Sequence, residues 1–143
     1  MRIKHIALWT QNLEGMKYFY ATFFNAEAGP LYNNEKAGFE CYFLTFPRGP
    51  AIELMRRADI KDRPARPYIG IARFAFKAST MREVRRITAN LQKGKVPVLK
   101  EPRITGDGFF ASLAADPDGN EIEIVADIKP RKRRKDKPEI KKP

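Results

Sequence analysis

Four ionisable residues in this sequence sit within otherwise apolar, strand-like runs: His5 in KHIALW, Glu53 in AIELM, Arg73 in IARFAF and Glu123 in EIEIV. One neutral imidazole and two carboxylates are a donor set that suits a borderline divalent ion such as Zn, Ni, Mn or Fe. Arg73 cannot join them as a ligand, because a guanidinium stays protonated and has no lone pair to give. Its chemistry is to hold an anion or to pair with Glu53 or Glu123. Taken singly, a strand histidine is more often a satisfied core residue and a strand glutamate more often faces water. Their spacing is what gives these residues weight.

Cys41 to Met55, CYFLTFPRGPAIELM, recurs seventy residues later as Ala111 to Val125, ASLAADPDGNEIEIV, with Pro47 on Pro117, Gly49 on Gly119, Ile52 on Ile122 and Glu53 on Glu123. Each copy reads as strand, tight turn and strand. The opening run Ile3–Trp9 matches Ile71–Phe76 at an offset of sixty-eight, which sets His5 against Arg73. A helix pattern follows each: Met16, Phe19, Tyr20 and Phe23 after a cap at Asn12, and Val84, Ile87 and Leu91 after the capping box that starts at Thr80. The chain therefore reads as one strand-helix-three-strand unit used twice, an α+β fold of two βαβββ modules with pseudo-two-fold symmetry.

The elements have a consequence for the four polar residues. The aromatic helix must cover the Ile6 and Leu8 side of the first strand, so period-two alternation turns His5 and Trp9 to the other side. The same rule turns Arg73, Glu53 and Glu123 away from the helices, toward a cavity that two facing halves would enclose. Further strands are expected near 27–32, 38–46, 50–55, 96–99, 108–115 and 120–125. Gly94 is expected to close the second helix. RRADIKDRPARP, with two prolines, suits a linker. The resulting organisation is modules at 1–56 and 70–127, a linker at 57–69 and a tail at 128–143.

That tail explains most of the formal net charge of +11. Residues 128–143 hold nine Lys or Arg against Asp136 and Glu139, while residues 1–127 hold nineteen against fifteen. With few apolar residues it has nothing to pack, and its plain role is a solvated extension. Weak, salt-dependent and sequence-blind contact with polyanions is the functional alternative. Cys41 is the sole cysteine, which excludes an internal disulfide and a thiolate zinc cluster and fits a reducing compartment. No apolar run reaches membrane-spanning or signal-peptide length, so a cytoplasmic protein without membrane contact is expected.

IKHIAL, the Tyr18-Phe19-Tyr20 helix segment, AIEL and above all DPDGNEIEIV make residues 1–127 resemble the vicinal oxygen chelate superfamily. Glyoxalase I, bleomycin and fosfomycin resistance proteins and extradiol dioxygenases are its members. The resemblance implies a U-shaped mixed β-sheet around a ligand cleft, and frequently homodimers whose site draws one half from each subunit. It implies metal positions at His5, Glu53, Arg73 and Glu123, and Arg73 departs from the histidine usual there. One function it implies is a metal-dependent lyase or isomerase of lactoylglutathione lyase type, with Glu53 and Glu123 as candidate bases. The other is a metal-free protein that sequesters a small anionic or aromatic molecule in the manner of bleomycin resistance proteins. Arg73 would then hook the anion, with Trp9, Tyr42 and Phe46 as walls.

Overall fold

A computed structural model describes residues 1–128. The first module runs β1 (His5–Trp9), α1 (Leu13–Phe24), β2 (Glu27–Ala28), β3 (Tyr32–Asn34), β4 (Phe39–Thr45) and β5 (Ala51–Arg56). The second runs β6 (Phe74–Lys77), α2 (Met81–Lys93), β7 (Val98–Ile104), β8 (Phe109–Ala115) and β9 (Glu121–Asp127). The first sheet has the order β1-β5-β4-β2, with β3 also on β4, and the second the order β6-β9-β8-β7. In each, the opening strand lies parallel to the closing one and the hairpin is antiparallel. The expected duplication is therefore the architecture of the molecule. The basic residues 129–143 lie outside the described part of the chain.

Capping sets the helix starts. The Asn12 side chain accepts from Gly15 N–H at 3.0 Å, and the Thr80 hydroxyl accepts from Glu83 N–H at 3.1 Å while the Glu83 carboxylate accepts from Ser79 N–H at 2.7 Å. Asn25 ends α1 in the left-handed region. Gly94 ends α2 with φ −77°, and Lys95 takes the left-handed turn instead. The reason for a glycine is steric: a Cβ at 94 would meet Phe23 Cζ at 2.5 Å, where α1 presses on the end of α2. Gly49 and Gly119, by contrast, have φ of 97° and 75°, as the repeated hairpin turns require.

Three strand boundaries differ from the sequence expectation. The stretch 27–32 splits into β2 and β3 because Pro30, without an N–H, interrupts the ladder to β4. β7 extends past Leu99 to Ile104, and its register on β8 shifts between Lys100 and Arg103, where an edge strand absorbs Pro102. β6 starts at Phe74 rather than Ile71, since its ladder begins at Phe74↔Ile122. Asn120, just upstream on the other strand, is committed to the hairpin turn through bonds with Asp116. Arg73 thus precedes the strand instead of lying within it.

Both helix-facing sheet sides drain into one core. Met16, Tyr20 and Phe24 of α1, Leu44, Ile52 and Leu54 of the first sheet, Val84 and Leu91 of α2, and Ile122 and Ile124 of the second form a single buried cluster. Across the modules Phe24 meets Phe76 at 4.4 Å between centroids, and the buried Tyr20 hydroxyl donates to Asp116 Oδ2 at 2.9 Å.

Candidate functional site

β1 has Ile6 and Leu8 partly buried and His5, Ala7 and Trp9 exposed, with Leu8 packed against the common core, while α1 itself lies over β4 and β5. His5 thereby stands on the open side of the first sheet. Its register partner on β5 is Ala51, and Glu53, two residues on, shares that side. The two side chains approach with His5 Nε2 3.5 Å from Glu53 Oε2. The imidazole also rests edge-on against Phe43 at 5.4 Å between centroids. Cys41 lies beside them, and burial first, then a hydrogen bond with Glu53, pushes its thiol up to about 11. It is a neutral packing residue near pH 7.

The second sheet repeats the arrangement with different chemistry. Glu123 faces outward between the buried Ile122 and Ile124, and Arg73 Nη1 reaches its Oε1 at 3.5 Å. The two halves thus present equivalent polar pairs, His5–Glu53 and Arg73–Glu123. Within one chain these do not converge: among the described residues no three His, Cys, Asp or Glu side chains come together as a metal site. The helix-facing sides of both sheets are spent on the common core, and the pairs lie on the opposite sides.

Of the expected walls, Trp9 lies on the His5 side with the Arg57 guanidinium 5.2 Å from its ring centroid. Tyr42 does not. It is register partner to Leu54 and buried on the helix side, where its hydroxyl donates to Glu14 Oε1 at 2.6 Å and accepts from Lys17 Nζ at 3.3 Å. Phe46 lies beyond the end of β4, against Phe76 at 5.3 Å, in a separate cleft of about 830 Å³ between the β4–β5 turn and β6. The wall that the sequence reading missed is Phe43, opposite Glu53. Its signal was the alternation Cys41, Phe43, Thr45, legible once the parity of β4 is fixed against Glu53 rather than guessed from ring type.

The fold has many counterparts. Glyoxalase I from Zea mays superposes with a TM-score of 0.71 at 20% identity over 87% of this chain and 44% of its own. Lactoylglutathione lyase from Agrobacterium tumefaciens gives 0.64 and 22%, covering 87% of this chain and 92% of that one. A glyoxylase/bleomycin resistance protein/dioxygenase domain from Frankia sp. EAN1pec gives 0.78 and 13%, covering 89% and 92%. The chain spans less than half the length of the maize enzyme. No curated protein matches it by sequence. The sequence pattern of the Glyoxalase/Bleomycin resistance protein/Dioxygenase superfamily fits residues 2–124, and with the paired modules and their equivalent outward-facing pairs it follows that the chain belongs to that superfamily.

Proposed function

We propose that this protein binds a small anionic molecule at a site completed between two copies of the chain, with Arg73 holding the anion and without a tightly held metal. The observation that carries the reading is the Arg73–Glu123 pair, at the place in the second module that His5–Glu53 occupies in the first. His5, Glu53 and Glu123 remain as possible donors, and a guanidinium already engages the third. Repulsion between that fixed charge and a divalent ion at contact range is on the order of several kcal/mol at an effective dielectric of about 20. The donor set therefore does not fit a firmly bound ion. A symmetric homodimer supplies what one chain lacks, since it can set the open side of one copy's first sheet against the second sheet of the other. The same reading includes a reducing, cytoplasmic setting, in line with the single buried thiol at Cys41.

The second reading, a metal-dependent lyase acting on vicinal oxygens with Glu53 or Glu123 as base, draws on the intact His5–Glu53 pair and on the names of the maize and Agrobacterium relatives. Elemental analysis of protein purified without chelator or affinity tag separates the two, followed by calorimetric titration with Zn and Ni. The expected result is substoichiometric metal in the wild type. Arg73→His should then raise affinity by about two orders of magnitude or more, as one charge is removed and one lone pair added. Stoichiometric metal that is lost in Glu123→Ala and kept in Arg73→Ala would favour the lyase instead. No effect of Glu53→Ala or Glu123→Ala on metal or ligand binding would remove this site from consideration.

A further inference from the structure

The cleft between the β4–β5 turn and β6 lies apart from the His5–Glu53 pair. Its floor comes from the helix-facing side of the fold, with Phe24, Phe46 and Phe76 as the large surfaces. About 830 Å³ is the size of a small-molecule site, and such sites combine an apolar body with a few polar groups that fix orientation. The polar groups here all have one sign. Arg48, Arg73 and Lys77 line the cleft, and no Asp or Glu does.

Two of those cations are partly spent: Lys77 Nζ lies 2.5 Å from Asp127 Oδ1, and Arg73 pairs with Glu123 at 3.5 Å. Arg48 has no ion-pair partner among the described residues. It sits on the exposed turn between Pro47 and Gly49 and lines the same cleft as the three phenylalanines. Ser79, one residue ahead of the α2 N-cap, also lines the cleft, which brings the positive end of that helix near it. We infer that this cleft is a second binding site, for a small amphipathic anion: a carboxylate on an alkyl or aromatic body. The body would lie on Phe24, Phe46 and Phe76, and the carboxylate would meet Arg48 first. This goes beyond the reading of the His5–Glu53 and Arg73–Glu123 pairs: Arg73 borders both sites, while Arg48 and the aromatic floor belong to this cleft alone.

The test uses the full chain, anilinonaphthalenesulfonate as a fluorescent probe, and octanoate against octanol as competitors. Octanoate should displace the probe at a concentration at least about tenfold below octanol, since a charge-assisted hydrogen bond contributes that much or more. Arg48→Glu, a substitution on an exposed turn, should weaken octanoate by about tenfold or more and leave octanol unchanged. His5→Ala should alter neither. Equal potency of octanoate and octanol, or indifference to Arg48→Glu, overturns the inference. So does loss of binding in His5→Ala, which would move the ligand to the open side of the sheet. Probe binding that falls as sedimentation shows self-association would mean that a second copy fills the cleft, and would overturn it as well.

Discussion

Asp116 shows how a single buried group sets both local geometry and a pH dependence. Its carboxylate accepts from Tyr20 Oη, from the N–H groups of Asp118 and Asn120 and from the Asn120 side-chain amide, all between 2.8 and 3.0 Å. Burial nevertheless outweighs those donors and raises its pKa above the ordinary carboxylate value. A raised acid binds its proton more tightly in the folded state. Its contribution to stability is therefore complete below the unfolded value near about 4, and it is lost as pH rises through the folded value. Tyr20→Phe removes one donor to the charged form, so it should cost about 1–3 kcal/mol at pH 7 and less as the pH falls and Asp116 takes up its proton. Urea melts of wild type and variant across that range decide the point, and a cost that grows on acidification would be the wrong sign. The same residue was legible in sequence only as part of a turn signal, DPDGN. Nothing in that motif announces a tyrosine ninety-six positions earlier.

Gly94 makes a parallel case for a whole element. Its φ of −77° is open to any residue, so backbone entropy alone would favour alanine by about 0.4–1 kcal/mol. Against that stands the 2.5 Å approach of Phe23 Cζ to the missing Cβ, and overpacking of this kind costs about 1–3 kcal/mol. Gly94→Ala should therefore lower stability through the α1–α2 contact, whereas Gly106→Ala, with open space around it, should be neutral or slightly favourable. Thermal denaturation of the pair tests this, and equal behaviour of the two would show that Phe23 gives way freely. The sequence reading placed the helix end at Gly94, and the steric reason for the glycine lies outside it. Periodicity and capping residues are local, so they locate elements, while the ring that excludes a Cβ arrives from another helix. At β4 Tyr42 was named as a wall with no side of the strand assigned, and Phe43 is the residue opposite Glu53.

On the sheet sides that carry the polar pairs Cys41, Ala111 and Leu113 are buried, while Trp9 and Phe43 on the first and Phe109 on the second are all more than a third exposed. The two-fold partner that the proposed site requires would bury these aromatics. Sedimentation of the full chain at micromolar concentration should show a dimer, and a Phe43→Glu variant should shift it toward monomer; a monomer throughout in the wild type would dismiss the shared site. What the sequence determined by itself was the duplication: the seventy-residue offset, the helix stripes and the alternation that sends His5, Glu53 and Glu123 away from the helices. These are properties of neighbouring residues, fixed by the period of the backbone. Tertiary structure decided how the halves meet. The sequence reading had two facing halves enclose a cavity and left open whether they come from one chain or two; within one chain the helix-facing sides share a core and His5, Glu53 and Glu123 do not gather. A repeat specifies each unit's apolar side and leaves open which unit it packs against, because burial is non-directional and any complementary apolar surface satisfies it.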